Sequence, residues 1–449
     1  MEQQQLLDLV RQGGVVGEGG AGFPAHVKYD AQVDTVIANG CECEPLLYSD
    51  QHIMANHAAE IVSAMKAIIK ATGASRGAIG IKAKYSQIGQ LFEAATQDSN
   101  IDVFRMDNFY PAGDEQILVH EVTGQSIPPL GLPKDVGAVV ANVATLLAVN
   151  NAINGQPVTH KIVTVTGSVA KPSVIRVPIG TSVRACVAAC GNETVDDPVY
   201  VMGGPMMGKV IDDQQVFDET VISKTSGAII VLPRGHVIHQ AATLPEAIIQ
   251  KRAATSCIQC RACTELCPRY LIGQEFKPHE VMRALGAGGS KPESIKQAQL
   301  CSECGACEAF SCPMGLSPRR INGLLKQKFR EHRIQYDGSR EIVAEQSQFR
   351  DFRKIPTSRL AMKLGIHHYM ALHPEFVGDI SPATVSIPLQ QHIGAPSIAT
   401  VQVGDEVNEG DCIGVTPEGA LGAMIHASMS GKITAVGTSI TIQGARREH

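Results

Sequence analysis

The chain has 449 residues, of which 44% are hydrophobic, 18% charged and 4% aromatic, with a formal net charge of −5. Such a length exceeds what one hydrophobic core ordinarily organises, so several domains are expected. The mildly acidic balance argues against a nucleic-acid partner, and no apolar run reaches the roughly 18 residues of a membrane span.

The opening MEQQQLLDLVRQ lacks the basic and apolar regions of a secretory signal, which predicts a cytoplasmic protein with reduced thiols. Residues 1–158 read as an α/β layer domain. Strand-like stretches at 35–38 and 78–82 alternate with a helical stretch at 58–70 and an apolar strand-to-helix run at 136–150. Leu6, Leu7, Leu9 and Val10 are expected to pack on this domain.

Residues 159–240 change character. KIVTV at 161–165 is β-branched, Gly167, Pro172, Pro178 and Gly180 punctuate the strands, and 182–190 suggests a small helix, together a compact β-grasp-like domain. Cys186 and Cys190, spaced i, i+4, fit buried small apolar positions. Residues 241–335 carry most of the cysteines among short helices. One helix is well marked, with Ser317 as N-cap, Pro318 at the first turn, and Ile321, Leu324, Leu325 and Phe329 on one face. The basic residues between Arg319 and Arg333 read as a solvated face, or as a dock for an acidic partner. Residues 336–380 look like a polar connector, with His367 and His368 a surface or packed pair. Residues 381–449 alternate short strands and glycine turns, as a small all-β barrel would.

Eight of the 13 cysteines fall between residues 257 and 312, in two runs: Cys257-x2-Cys260-x2-Cys263-x3-Cys267-Pro268 and Cys301-x2-Cys304-x2-Cys307-x4-Cys312-Pro313. This is the spacing of bacterial two-cluster ferredoxins, in which a CxxCxxC loop supplies three thiolates and the Cys-Pro of the other run supplies the fourth. Two [4Fe-4S] clusters are therefore expected, one on Cys257, Cys260, Cys263 and Cys312, the other on Cys301, Cys304, Cys307 and Cys267. Zinc favours paired CxxC motifs, and disulfides need an oxidising compartment. The second run holds four residues before Cys312 where three are usual, which predicts a one-residue bulge or, more strongly, an altered cluster.

A second motif stands near the N-terminus: Gly17-Glu18-Gly19-Gly20-Ala21-Gly22-Phe23-Pro24, with Lys28 beyond. Alone it is a flexible turn or a loop whose backbone N–H groups cradle a phosphate. It does not match the six-residue dinucleotide fingerprint. Three further motifs join it: Asn39-Gly40-Cys41-Glu42-Cys43-Glu44-Pro45, Tyr110-Pro111-Ala112-Gly113-Asp114-Glu115 and Asn142-Val143-Ala144-Thr145. Over residues 10–330 the set and its order resemble the FMN- and NADH-binding subunit of respiratory complex I and the RnfC component of the Rnf complex.

The resemblance implies a Rossmann-like FMN domain, a β-grasp domain of SLBB type, a helical two-cluster domain and a barrel-sandwich hybrid, that is, a multidomain α/β and α+β fold. It implies that Gly17, Gly19, Gly20 and Lys28 line the FMN phosphate and ribityl chain. Asn39, Glu42 and Glu44 would hydrogen-bond the flavin, Tyr110, Gly113 and Glu115 would form the opposite wall, and Asn142 and Thr145 would close the phosphate end. Phe23 would stack on the nicotinamide of NADH, or serve in the core. Glu18 stands where complex I relatives carry Arg, Cys41 where they carry Asp and Ala141 where they carry Asn, which bears on NADH more than on FMN.

The late segments Ile393-Gly394-Ala395-Pro396, Val403-Gly404-Asp405-Glu406-Val407 and His426-Ala427-Ser428-Met429-Ser430-Gly431 resemble the barrel-sandwich hybrid of RnfC, placed here after the clusters. No lysine is flanked as in lipoyl carriers, so a structural or docking role is expected. This arrangement resembles the cobalamin reductases of bacterial propanediol utilisation. That likeness implies FMN, two [4Fe-4S] clusters, NADH as donor, cobalamin as acceptor, and an adenosyltransferase and a microcompartment shell protein as partners. The alternatives are an electron-input subunit of an Rnf-like complex and a non-catalytic relay at a shell. Asp50-Gln51-His52-Ile53-Met54-Ala55 only begins like a corrinoid-binding motif and reads as chance.

Overall fold

The computed structural model describes residues 1–286, 292–338 and 346–444. Part of the expected connector (339–345) and the end of the expected barrel (445–449) lie outside the described residues.

The N-terminal domain is built on four parallel strands in the order Ile101–Met106, Arg76–Lys82, Thr35–Gly40, Ala138–Asn142. The strands read as nearly unbroken apolar runs because both sheet faces are covered. Val36 and Ala38 face a core completed by the helices Gln3–Gln12, Ala58–Thr72 and Val143–Ile153, which includes Leu6, Leu7 and Val10. Ile37 and Val140 face the other way, onto Ile117 and Leu118 of the helix Glu115–Thr123. The chain leaves Thr35–Gly40 toward Arg76–Lys82 on one side, while Ala138–Asn142 lies on the other. The strand ends between them are the crevice where open α/β sheets take ligands.

The second sheet has six strands in the order Glu375–Asp379, Ser173–Pro178, His160–Gly167, Ala228–Pro233, Pro198–Met202, Lys209–Ile211. Ser182 caps the helix Val183–Ala189 by accepting from the Ala185 N–H at 3.2 Å. Cys186 and Cys190 are fully buried in the same core.

Within the segment expected as a connector, the described residues from 355 onward form a belt instead. Ile355–Pro356 pairs with Phe109–Tyr110 of the first domain, Leu360, Ala361, Leu364 and Ile366 are buried among residues of three domains, and Glu375–Asp379 becomes an edge strand of the second sheet. The segment's polar composition hid the few apolar positions that anchor it. His367 and His368 are exposed in a short 3₁₀ turn. The C-terminal unit has a four-stranded and a three-stranded sheet around Val385, Ile387, Ile413, Ile433, Ile440 and Ile442.

The extra residue before Cys312 is absorbed as a π-helical turn at Cys307–Ser311, in which the Cys312 N–H reaches the Cys307 carbonyl at 3.0 Å. A single inserted residue is the usual origin of such a turn. The helix Pro318–Glu331 begins where expected, but Ser317 makes no cap hydrogen bond to it. The Glu308 carboxylate accepts from the Arg320 N–H at 3.4 Å, placing an anion at the positive end of that helix.

Candidate functional site

The flavin-site motifs converge on the C-terminal edge of the parallel sheet. Asn39 and Asn142 are register partners on adjacent strands. Asn39 donates to the Gly113 carbonyl at 2.9 Å and accepts from the Cys41 N–H, fixing the loop that follows its strand. Asn142 caps the helix Val143–Ile153 through the Ala144 N–H at 2.7 Å and donates to Asp50 at 2.8 Å. Thr145 accepts from the Glu18 N–H at 2.8 Å, which ties the glycine-rich loop to the start of that helix. Gly19, at φ +78°, runs so close to Asn142 that an added Cβ would stand 3.2 Å from its Nδ2, whereas Gly20 faces open space. The loop thus has the close approach and the open backbone that a phosphate cradle needs. Lys28 pairs with Glu115 at 2.5 Å, and Phe23 is 38% exposed at the rim.

The Glu18 carboxylate, a charge that opposes an anion, is turned into the second domain. There it forms an ion pair with Lys161, with only 9% and 7% of the two side chains exposed. Burial pulls the Lys161 ammonium down to about 7, with the Glu18 carboxylate in contact with it. Glu42 and Asp50 form a second acidic centre. Burial raises Glu42 and the Asp50 charge raises it further, with Gln51 donating to it at 3.2 Å.

Two predicted residues have partners outside this crevice. Glu44 accepts from the Met206 and Met207 N–H groups of the second domain at 2.7 and 3.1 Å, and burial raises its carboxyl to about 7. Tyr110, expected on a flavin wall, is 2% exposed, and its hydroxyl donates to the Cys304 carbonyl at 2.5 Å. It joins the first domain to a cysteine loop. Arg269, two residues after Cys267, pairs with Asp114 at 2.9 Å, and Gln274 donates to Gln116 at 2.6 Å across the same junction. Lys161 and Arg269 were not singled out by sequence reasoning, and Asp50 was noted only as the start of a chance corrinoid-like stretch. Their partners stand far away in the chain, and no local spacing signals them.

The cysteines gather in two places, each mixing the two runs. Cys257, Cys260, Cys263 and Cys312 line one cavity with Ile258, Gln259, Arg261, Met314 and neighbours. Burial pushes the Cys263 thiol up to about 12, and nearby Cys257, Cys312 and Cys260 push the same way. Cys267, Cys301, Cys304 and Cys307 are buried together. Cys307 is raised by burial and then by Cys301, Cys304 and Cys267. Among the described residues no three His, Cys, Asp or Glu side chains converge on a single ion. The cavity lined by Cys257, Cys260, Cys263 and Cys312 suits a multi-iron cluster held at its corners.

Four family models match the chain: the Nuo51 FMN-binding domain at residues 10–151, the SLBB domain at 162–210, the 4Fe-4S dicluster domain at 256–317 and the RnfC barrel sandwich hybrid domain at 376–448. The cobalamin reductase PduS of Salmonella typhimurium is 40% identical over 438 residues, covering 97% of this chain and 95% of that protein. The Citrobacter freundii protein of the same name is 41% identical over 439 residues, with the same coverage. A component of the Na(+)-translocating ferredoxin:NAD(+) oxidoreductase complex of Acetobacterium woodii is 34% identical over 278 residues, covering 60% of this chain and 59% of that one. The multidomain arrangement expected from the sequence agrees with these matches.

Proposed function

The chain belongs to the PduS cobalamin reductase family, and we propose that it passes electrons from NADH, through FMN and two [4Fe-4S] clusters, to the cobalt of cobalamin. FMN held at the glycine-rich loop would supply the exchange of a hydride for single electrons, and clusters held by the two cysteine sets would relay those electrons singly. The observation that carries this reading is the clamp between the two halves of the machine. Tyr110, Asp114 and Gln116 of the FMN-binding domain grip Cys304, Arg269 and Gln274 of the cysteine region. A rigid junction of this kind holds donor and acceptor at one separation without reorganisation.

In this reading Gly17, Gly19, Gly20 and Lys28 hold the phosphate and ribityl chain, with Asn142 and Thr145 closing that end. Asn39, Glu42 and Gly113 border the flavin, and Glu115 orients Lys28. Phe23 offers a face to the nicotinamide. Glu44 and Tyr110 act at one remove, bracing the loop against the second domain and the cysteine region. Cys257, Cys260, Cys263 and Cys312 ligate one cluster, and Cys301, Cys304, Cys307 and Cys267 the other.

The described residues include no helix long and apolar enough to cross a membrane. An adenosyltransferase that consumes the reduced cobalamin and a microcompartment shell protein are the partners we assign, and the microcompartment is the place. Their support is the family.

Metal analysis and electron paramagnetic resonance of anaerobically purified protein test the ligand sets. Roughly eight irons and one FMN per chain are expected. Cys267→Ser should remove the signal that Cys301→Ser removes, and Cys312→Ser the signal that Cys257→Ser removes. Pairing of Cys267 with its own run would overturn the assignment.

A further inference from the structure

The two thiol sets differ in their access to solvent. Cys267, Cys301, Cys304 and Cys307 are 6 to 9% exposed and belong to the region clamped onto the FMN-binding domain. In the other set Cys260 is exposed, and Cys257, Cys263 and Cys312 are half-buried. Electron tunnelling weakens steeply with distance, so the buried set is placed to receive electrons and the open set to release them.

The surface at the open set has a distinct chemistry. Ile258 and Met314, 60% and 41% exposed, line the same cavity as the four thiols. Around them stand three guanidinium groups. Arg252 donates to the Gly315 carbonyl at 3.1 Å and Arg283 to the Gln259 side chain at 3.1 Å, and among the described residues neither has a carboxylate partner. Arg261 pairs with Glu265 at 3.2 Å. Two exposed apolar side chains fall far short of the roughly 800 Å² per partner of a standard protein interface. They do match the face of a macrocycle, and the surrounding donors match a periphery rich in acceptors.

We propose that this surface is the electron exit and that its occupant is cobalamin, the corrin laid against Ile258 and Met314 over the Cys260 edge. The carboxamide oxygens and the phosphodiester of cobalamin accept from Arg252 and Arg283. The proposal rests on the reductase reading above and names its acceptor site. One NADH yields NAD+, a proton and two electrons. Each cobalt takes one electron, so one NADH reduces two cobalamins by one step each.

The test compares wild type with Ile258→Ser/Met314→Ser and with Arg252→Gln/Arg283→Gln, all as anaerobic, cluster-loaded full-length protein. Hydroxocobalamin binding is measured by equilibrium dialysis without NADH, and its reduction with NADH is followed by absorbance. Iron content and bleaching by NADH report intact cofactors, and Ile258→Leu controls for disturbance of the loop. Both double variants are expected to bind hydroxocobalamin at least tenfold more weakly and to reduce it correspondingly more slowly below saturation, with Ile258→Leu near wild type. Unchanged binding and reduction in both would overturn the exit surface while leaving the reductase reading in place. A wild type that reduces cobalamin only when another protein holds it would replace the free corrinoid with a protein partner and so overturn the occupant. A wild type bleached by NADH that reduces no form of cobalamin would overturn the reductase reading itself.

Discussion

Lys161→Met is the perturbation with the most direct bearing on the FMN site. The ion pair with Glu18 joins the glycine-rich loop to the second domain, with 9% and 7% of the side chains exposed. Removing one partner of a buried pair costs about 3–5 kcal/mol, because the other charge is left without compensation. Here the stranded charge is a carboxylate in the loop proposed to hold a phosphate. By Coulomb's law at an effective dielectric of about 20, one unit charge opposes another by about 2 kcal/mol at a separation of roughly 8 Å, some thirtyfold in affinity, and an uncompensated Glu18 in this loop should weaken FMN binding by an effect of that order. FMN titration by fluorescence quenching should show that weakening, and urea denaturation should show the stability loss. The double variant Glu18→Gln/Lys161→Met removes both charges and should recover most of the FMN affinity. Normal FMN affinity in Lys161→Met, or a double variant as weak as the single, would refute the reasoning.

Lys224 binds three domains together. Its ammonium donates to the Gly14 and Met424 carbonyls at 2.6 Å each. Burial lowers its pKa to about 7, below an unfolded value near 10.4. The stability it contributes is therefore full above about 10.4 and is lost as pH falls toward 7. Lys224→Met should flatten the stability curve between pH 10 and 7, whatever constant offset it adds. Thermal unfolding across that window reads the slope, and an equal slope in both proteins would contradict the assignment. Tyr110→Phe leaves the Cys304 carbonyl without its donor and should cost about 1–3 kcal/mol. FMN content should hold while stopped-flow reduction of the clusters by NADH slows, and an unchanged cluster rate would remove Tyr110 from the junction. Arg269→Met strands the half-buried Asp114 at the same junction and should destabilise by about 3–5 kcal/mol, with Asp114→Asn/Arg269→Met recovering most of it in urea denaturation.

The elements that depend on neighbours in sequence were legible in it. The apolar runs at 35–38 and 78–82 became central strands, each extended by two residues at one end, because a doubly covered parallel strand carries its burial in its own composition. The four-residue gap before Cys312 announced an irregularity, and only the backbone revealed a π turn. The convergence of the glycine-rich loop, Asn39 and Asn142 follows from which strands are adjacent, which motif order alone does not fix. Glu18 is the clearest case of what sequence could not carry. By residue type alone it is a charge that opposes a phosphate, and its neutralising lysine lies 143 residues away in another domain. The belt around residues 355–379 escaped notice for a related reason, since its anchors bind three different domains and make no periodic face of their own.

The most direct measurement is the visible spectrum of the anaerobic, cluster-loaded protein on addition of NADH, followed by hydroxocobalamin. Flavin and cluster absorbance should bleach with NADH and return as the cobalamin spectrum shifts to its reduced form, two cobalamins for each NADH consumed. Bleaching by dithionite but not by NADH, or NADH-bleached protein that hydroxocobalamin fails to reoxidise, would contradict electron flow from NADH to cobalt.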